Sequence, residues 1–195
     1  IAWSLFNEPD TMSASAVPYF ADIFEKAREL DVQKRPRTFA MELNSSPEKC
    51  TCYQFSDFLC FNRYYGWYLL GGYEMQDAEE AFRAELDAWL AKGVNCPFVF
   101  TEYGCDNLQG EYKLPSVQWS AEYELEYLKI YERVFDSYDC IKGEQVWNFA
   151  DFQTVEGIMR VNGNKKGIFT RQRQPKAAAY YFKNRWEKLP VDYKG

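Results

Sequence analysis

The chain is 195 residues long, carries a formal net charge of −6 and is 47% hydrophobic. This length and apolar content suffice for one domain with a sizeable core, and the negative charge argues against a nucleic acid or an anionic membrane as a partner. Because the chain has no histidine, Ser-His-Asp triads, Cys-His dyads and histidine metal sites are excluded, which leaves carboxylates, Tyr, Lys, Arg and amides for any chemistry.

Strand-like apolar runs alternate with helical spacing along the whole chain. The predicted elements, in chain order, are strand 1–6, helix 17–30, strand 38–43, strand 57–62, helix 74–92, strand 98–101, helix 119–135, strand 145–149 and helix 176–186. Pro18 suits the first turn of one helix, and Gly93 is suited to ending another. No internal repeat or linker-like stretch interrupts the pattern, so a single domain is predicted.

Apolar strands that each precede a helix or a loop indicate an α/β fold, with a parallel sheet covered by helices. The candidate polar residues follow the strands, and both a (β/α)8 barrel and a doubly wound sheet bind ligands at that edge. No Gly-rich phosphate loop follows any strand, which disfavours a nucleotide-binding sheet. A complete barrel needs about 250 residues. The chain is therefore expected to supply the second half of a barrel, with three strands and the true amino terminus outside this sequence.

Two carboxylates stand at the ends of predicted strands. Glu8 closes the run 1–8, and Glu102 closes the run 98–102. An acid at the end of a buried strand is costly unless it has a purpose, and two such acids suggest a shared acid/base and nucleophile pair. Because two opposed carboxyls do most of the chemistry of glycoside hydrolysis, the sequence predicts a glycosidase.

The six cysteines include no C-x-x-C pair, so a structural zinc site is not expected. Their scattered positions favour reduced thiols in an intracellular, cytoplasmic protein. No apolar run approaches the roughly 18 residues of a membrane span. Neither a metal nor another cofactor is expected.

Several stretches resemble one known family, the β-glucuronidases of glycoside hydrolase family two, in the C-terminal part of their catalytic TIM barrel. The stretches occur in the family's order and are WSLFNEPDT (3–11), LCFNRYYGWY (59–68), TEYGCD (101–106), GEQVWNFADFQT (143–154) and NGNKKGIFTRQRQPK (162–176). The resemblance implies that residues 1–195 supply roughly strands four to eight of a (β/α)8 barrel. It also implies a partner, namely the missing N-terminal part of the enzyme with the first strands and the β-sandwich domains, and a homotetramer as the assembly.

The resemblance further implies a retaining mechanism in which Glu8 is the general acid/base and Glu102 the nucleophile. For these roles Glu8 needs a raised pKa and Glu102 needs to stay charged, so their surroundings are expected to differ. Asn7 is expected to donate its amide to the sugar 2-hydroxyl. Tyr64 is expected to hydrogen-bond Glu102 and keep it anionic.

The substrate implied by the resemblance is a β-glucuronide, on a small molecule or a glycan. Asn164 and Lys166 are expected to bind its carboxylate, with Arg160 as a helper, because a neutral sugar would not need cations aimed at C6. Tyr68 is expected to line the pocket, and Trp147, assigned to the last predicted strand, to form the floor of the sugar site.

Three alternatives remain open. The first keeps the fold and changes the sugar, as in a β-galactosidase or β-mannosidase relative. The second is a half-barrel that is not catalytic on its own, since an open half-barrel exposes unpaired strand edges. The third is a carbohydrate-binding module, which would bind a sugar without hydrolysing it.

Overall fold

One parallel sheet forms the centre of the computed structural model, which describes residues 1–193. Its strands lie side by side in sequence order and are β1 (Trp3–Asn7), β2 (Arg37–Met41), β3 (Leu59–Asn62), β4 (Phe98–Glu102) and β5 (Ile141–Glu144). The helices that follow them in turn are α1 (Ala16–Leu30), a 3-10 helix (Cys52–Phe55), α2 (Met75–Ala91), α3 (Ala121–Ser137) and α4 (Ala177–Trp186). The predicted α/β fold with a parallel sheet is confirmed.

The helices form where apolar residues recur on one side and where the ends are capped. In α2 the buried residues are Ala78, Phe82, Leu86 and Trp89, a spacing that aligns them on one helix face. Gly93 follows this helix with a φ of +85°, a conformation that favours glycine. At the start of α3, the Ser120 hydroxyl accepts a hydrogen bond of 3.2 Å from the Tyr123 backbone N–H. No helix within residues 1–193 has both the length and the apolar content to cross a membrane.

The two faces of the sheet differ in character. On one face, aromatic strand residues pack against the helices, with ring centroids 6.0 Å apart for Phe39 and Phe20, 5.8 Å for Phe61 and Trp89, and 5.3 Å for Phe100 and Phe82. On the other face, residues with smaller side chains lie opposite one another across the five strands, namely Asn7, Ala40, Cys60, Val99 and Gly143. The helices therefore cover the aromatic face, and the face with the small side chains is turned away from them, as the inner face of a barrel is.

The fifth strand differs from its prediction. It spans Ile141–Glu144, whereas the apolar run 145–149 was predicted to be the strand, so Trp147 lies beyond the strand and not within it. The reason lies in the backbone pairing of the run 145–149. The N–H of Trp147 bonds to Tyr103, but the N–H of Asn148 turns to Lys166, so the run is shared between two neighbours. The other strands and helices match their predicted bounds within about two residues.

Candidate active site

The two glutamates lie at the carboxyl ends of β1 and β4. Glu8 directly follows β1 and has a φ of 51°, a left-handed conformation that is unfavourable for a residue with a side chain. A hydrogen bond of 2.9 Å from its backbone N–H to the Ala40 carbonyl holds it there. Glu8 is exposed, while Glu102, the last residue of β4, is half-buried. The parallel sheet therefore brings the two carboxyls to one edge but gives them different surroundings.

A buried asparagine connects this edge of the sheet. Asn62, the last residue of β3, is 0% exposed, and its amide nitrogen donates to Glu8 Oε1 at 2.9 Å and to Asn7 Oδ1 at 3.1 Å. Its amide oxygen accepts a hydrogen bond of 2.7 Å from the Thr101 hydroxyl of β4. Asn62 thus reaches from β3 across β2 to the end of β1.

The carboxyl of Glu102 accepts a hydrogen bond of 2.6 Å from the Tyr64 hydroxyl, so the contact expected between these two residues is present. Burial raises the pKa of Glu102, and the nearby charge of Glu8 raises it further, while the hydrogen bond from Tyr64, the nearby amide of Asn62 and the charge of Lys166 lower it. The raising effects are larger. The pKa of Glu102 is therefore raised from its usual range, because desolvation of the half-buried carboxyl outweighs its donors.

A cationic group lies beside Tyr64. Lys166 is 2% exposed, and its ammonium forms an ion pair with the buried Asp106 and donates to the Tyr68 hydroxyl at 3.0 Å. Arg160 donates to the same hydroxyl at 2.8 Å. The Lys166 ammonium lies 5.9 Å from the centre of the Tyr64 ring, so the lysine and Glu102 contact the same tyrosine.

The loop that carries the lysine is buried, unlike an ordinary basic surface loop. Asn164 is 3% exposed, and its side-chain oxygen accepts a hydrogen bond of 2.9 Å from the Lys166 backbone N–H. Asp106 anchors the loop as well, because its Oδ1 accepts from the Lys165 backbone N–H at 2.7 Å. The polar side chains of this loop are therefore fixed before any ligand binds.

Trp147 follows β5 at the same edge and is 37% exposed. Gly104 makes this position possible, because a Cβ added at Gly104 would lie 2.3 Å from the Trp147 carbonyl oxygen. The glycine in TEYGCD thus permits the chain after β5 to approach the chain after β4.

Three residues of this site received no role from the sequence. Asn62 and Asp106 belong to stretches that carry the family resemblance, and Thr101 directly precedes Glu102. Their position in these stretches was the only signal, because each acts through a partner that is distant in sequence. Among residues 1–193, no three or more Cys, Asp or Glu side chains are grouped as a metal site requires.

Replacing Tyr64 with Phe should move the acid limb of the kcat/KM profile of the full-length enzyme to higher pH. The resemblance implies that Glu102 is the nucleophile, which must be ionised, so activity should be lost as pH falls through the pKa of Glu102. Loss of the tyrosine donor removes a contact that lowers this pKa. We expect kcat to fall by roughly 10- to 100-fold. The matched control is Tyr180→Phe on the exposed surface of α4, and an unmoved acid limb in the Tyr64 variant would contradict the argument.

Parallel strands followed by helices, with two glutamates at the carboxyl edge, define the class of barrel-type glycoside hydrolase catalytic domains. The chain belongs to glycosyl hydrolases family 2, whose TIM barrel domain model matches residues 1–191. The predicted fold class and family resemblance are confirmed.

The chain is similar to proteins named β-glucuronidase. It is 46% identical over 189 residues to that of Paenibacillus borealis, covering 97% of this chain and 31% of the relative. The solved structure of Lactobacillus rhamnosus β-glucuronidase superimposes with a TM-score of 0.96 at 59% identity, covering 100% of this chain and 33% of that one. The solved structure of Ruminococcus gnavus β-glucuronidase in complex with D-glucuronic acid superimposes with a TM-score of 0.92 at 61% identity. The match covers 95% of this chain and 32% of that one. The chain thus spans about a third of the length of these relatives.

Proposed function

We propose that this chain is the part of a retaining β-glucuronidase that carries both catalytic glutamates. The observation that carries the proposal is a buried ammonium, Lys166, linked through Tyr64 to the edge that holds Glu8 and Glu102. A neutral sugar would not need such a cation, whereas the C6 carboxylate of glucuronate requires charge compensation and donors. The names of the relatives, and the D-glucuronic acid in the Ruminococcus gnavus complex, support the same substrate class.

In the first step, the ionised Glu102 attacks the anomeric carbon, and the glycosidic bond breaks with its electron pair going to the leaving oxygen. Glu8 gives its proton to that oxygen, so a neutral alcohol leaves and a glucuronyl ester remains on Glu102. In the second step, Glu8 takes a proton from a water whose oxygen attacks the same carbon. Glu102 departs as a carboxylate, and the product keeps the β configuration.

The exposed position of Glu8 suits the exchange of a proton with a leaving group and then with water. Asn7 accepts from Asn62 through its oxygen, so its amide N–H groups are available for the sugar 2-hydroxyl, where a contact that strengthens in the transition state accelerates the reaction. The exposed ring of Trp147 is proposed as the floor of the sugar site.

The lysine ammonium has three N–H donors. Asp106 and Tyr68 accept from it, and we assign the remaining donor to the sugar carboxylate. Arg160 adds a second cation at the Tyr68 hydroxyl. Asn164 offers its amide N–H groups, because its oxygen is already engaged by the lysine backbone. Tyr68 is thereby proposed to line the pocket between the two cations.

The whole enzyme is proposed to contain more than this chain. Residues 1–195 are proposed to be the C-terminal part of a catalytic barrel, completed by an N-terminal part that supplies the first strands and the β-sandwich domains. The observation that supports this is that the chain spans about a third of the length of the relatives it matches. A cytoplasmic location is proposed from the scattered cysteine positions, which favour reduced thiols, and a homotetramer is proposed from the family resemblance.

The full-length enzyme should hydrolyse an aryl β-glucuronide with a kcat/KM at least about 100-fold above that for the aryl β-galactoside or β-mannoside, because charged hydrogen bonds to the carboxylate contribute about 1.5–3 kcal/mol each. Parallel assays of the three substrates measure this ratio. A preference for a neutral sugar would favour the β-galactosidase or β-mannosidase alternative.

The isolated 195-residue chain, assayed alongside, should give no turnover, and turnover by it would contradict the need for the N-terminal part.

A further inference from the structure

The amide of Asn62 has a partner for each of its polar groups. Its nitrogen has two hydrogens, and their acceptors are Glu8 Oε1 at 2.9 Å and Asn7 Oδ1 at 3.1 Å. Its oxygen accepts from the Thr101 hydroxyl at 2.7 Å. The two catalytic steps do not use this buried amide directly, yet all of its contacts are with the proposed catalytic edge.

The threonine hydroxyl and the two acceptors at the end of β1 together fix which way this amide faces. Thr101 donates its single proton to the amide oxygen, so the nitrogen faces Glu8 and Asn7. In the reversed orientation the amide oxygen would face two acceptor oxygens, and both of its hydrogen bonds would be replaced by repulsion. The hydroxyl of β4 and the acceptors of β1 therefore favour the same orientation.

This orientation fixes two side chains at once. The amide N–H groups hold one oxygen of Glu8, which defines where its other oxygen meets a leaving group. They also occupy the oxygen of Asn7, so the nitrogen of Asn7 is the group left for a substrate hydroxyl. Among the described residues Glu8 is exposed, and the contact that holds its carboxyl is this hydrogen bond.

We propose that Asn62, oriented by Thr101, is a positioning residue for the acid/base Glu8. The inference rests on the proposed function and deepens it. Its effect falls on proton transfer to the leaving oxygen as the bond between that oxygen and the anomeric carbon breaks. A leaving group that departs as a stable anion does not need this proton, whereas a poor leaving group does. The loss should therefore depend on the leaving group.

The test compares Thr101→Val, which removes the hydroxyl at nearly constant volume, with wild type in the full-length enzyme. We expect kcat/KM to fall about tenfold for phenyl β-glucuronide and by less than about threefold for 2,4-dinitrophenyl β-glucuronide, which needs little acid assistance. Thr101→Ser keeps the hydroxyl and should restore most of the loss. Asn62→Ala should show the same selectivity with a larger loss, about 100-fold for the phenyl substrate.

Thr38→Val is the matched control, because Thr38 is a buried threonine of the neighbouring β2 whose hydroxyl bonds to the Phe58 carbonyl. It should leave the ratio of the two substrates unchanged. This ratio does not depend on how much of a variant is folded, and Thr101→Ala serves as a second variant without the hydroxyl.

Equal losses with both substrates, or no loss with either, would overturn the positioning role. Failure of the proposed function looks different, because wild-type enzyme would then hydrolyse neither β-glucuronide.

Discussion

Replacing Glu102 with Gln in the full-length enzyme should lower kcat for an aryl β-glucuronide by about 10⁴-fold or more. The amide cannot form the ester that divides the reaction into two steps, and groups that act as a catalytic unit are costly to remove singly. Glutamine keeps nearly the same shape and can still accept the hydrogen bond from Tyr64, so the fold and the sugar contacts should remain. The assay is initial-rate turnover of the purified variant.

Covalent trapping gives the second readout for the same residue. A 2-fluoro glucuronide with a good leaving group should add the mass of one fluorinated sugar to the peptide that contains Glu102, and the Gln variant should add none. Glu42→Gln is the matched control, because Glu42 is a half-buried acid that directly follows β2. A labelled peptide that contains Glu42 or Glu8 would reassign the nucleophile.

The two glutamates could be predicted from the sequence because an acid at the end of an apolar run is conspicuous without a partner. The role of Asn62 could not be predicted, because its side chain extends past β2 to residues at the end of β1. The register between β3 and β4 also shifts between Phe61 and Asn62. Periodicity predicts that a strand exists but does not give its register with a neighbour. The orientation of the buried amide therefore required three-dimensional contacts.

The predicted position of the last strand was wrong for a related reason. Ile141–Glu144 contains a single apolar side chain, because Gly143 lies against Val99 on the face with the small side chains. The run 145–149 that follows is more hydrophobic, and the strand was therefore predicted there. This run lies at the carboxyl edge of the sheet, where Trp147 is 37% exposed. Hydrophobicity thus does not predict the position of a strand that packs through small residues, nor the role of an aromatic residue that stays exposed at a site.

The surroundings of Lys166 also could not be predicted from the sequence. The sequence predicts a cation for the sugar carboxylate, but the structure pairs that cation with Asp106, 60 residues away along the chain. Removal of the lysine alone would leave the charge of the buried Asp106 without an opposite charge, which costs about 3–5 kcal/mol in comparable pairs. Loss of activity in a single variant would therefore mix recognition with stability, and the recognition test needs both residues changed together.

The double variant Asp106→Asn/Lys166→Gln should reduce kcat/KM for an aryl β-glucuronide by about 10- to 100-fold while kcat changes little. A charged hydrogen bond contributes about 1.5–3 kcal/mol. The C6 carboxylate keeps its charge throughout the reaction, so the contact stabilises the bound substrate and the transition state alike, and its loss appears in KM. The aryl β-galactoside, which has no carboxylate, should lose nothing. Lys165→Gln, at the half-buried neighbour of the lysine, is the matched control and should change kcat/KM by less than about twofold. If the double variant lost galactoside and glucuronide hydrolysis equally, the ion pair would be maintaining the shape of the site and not selecting the sugar.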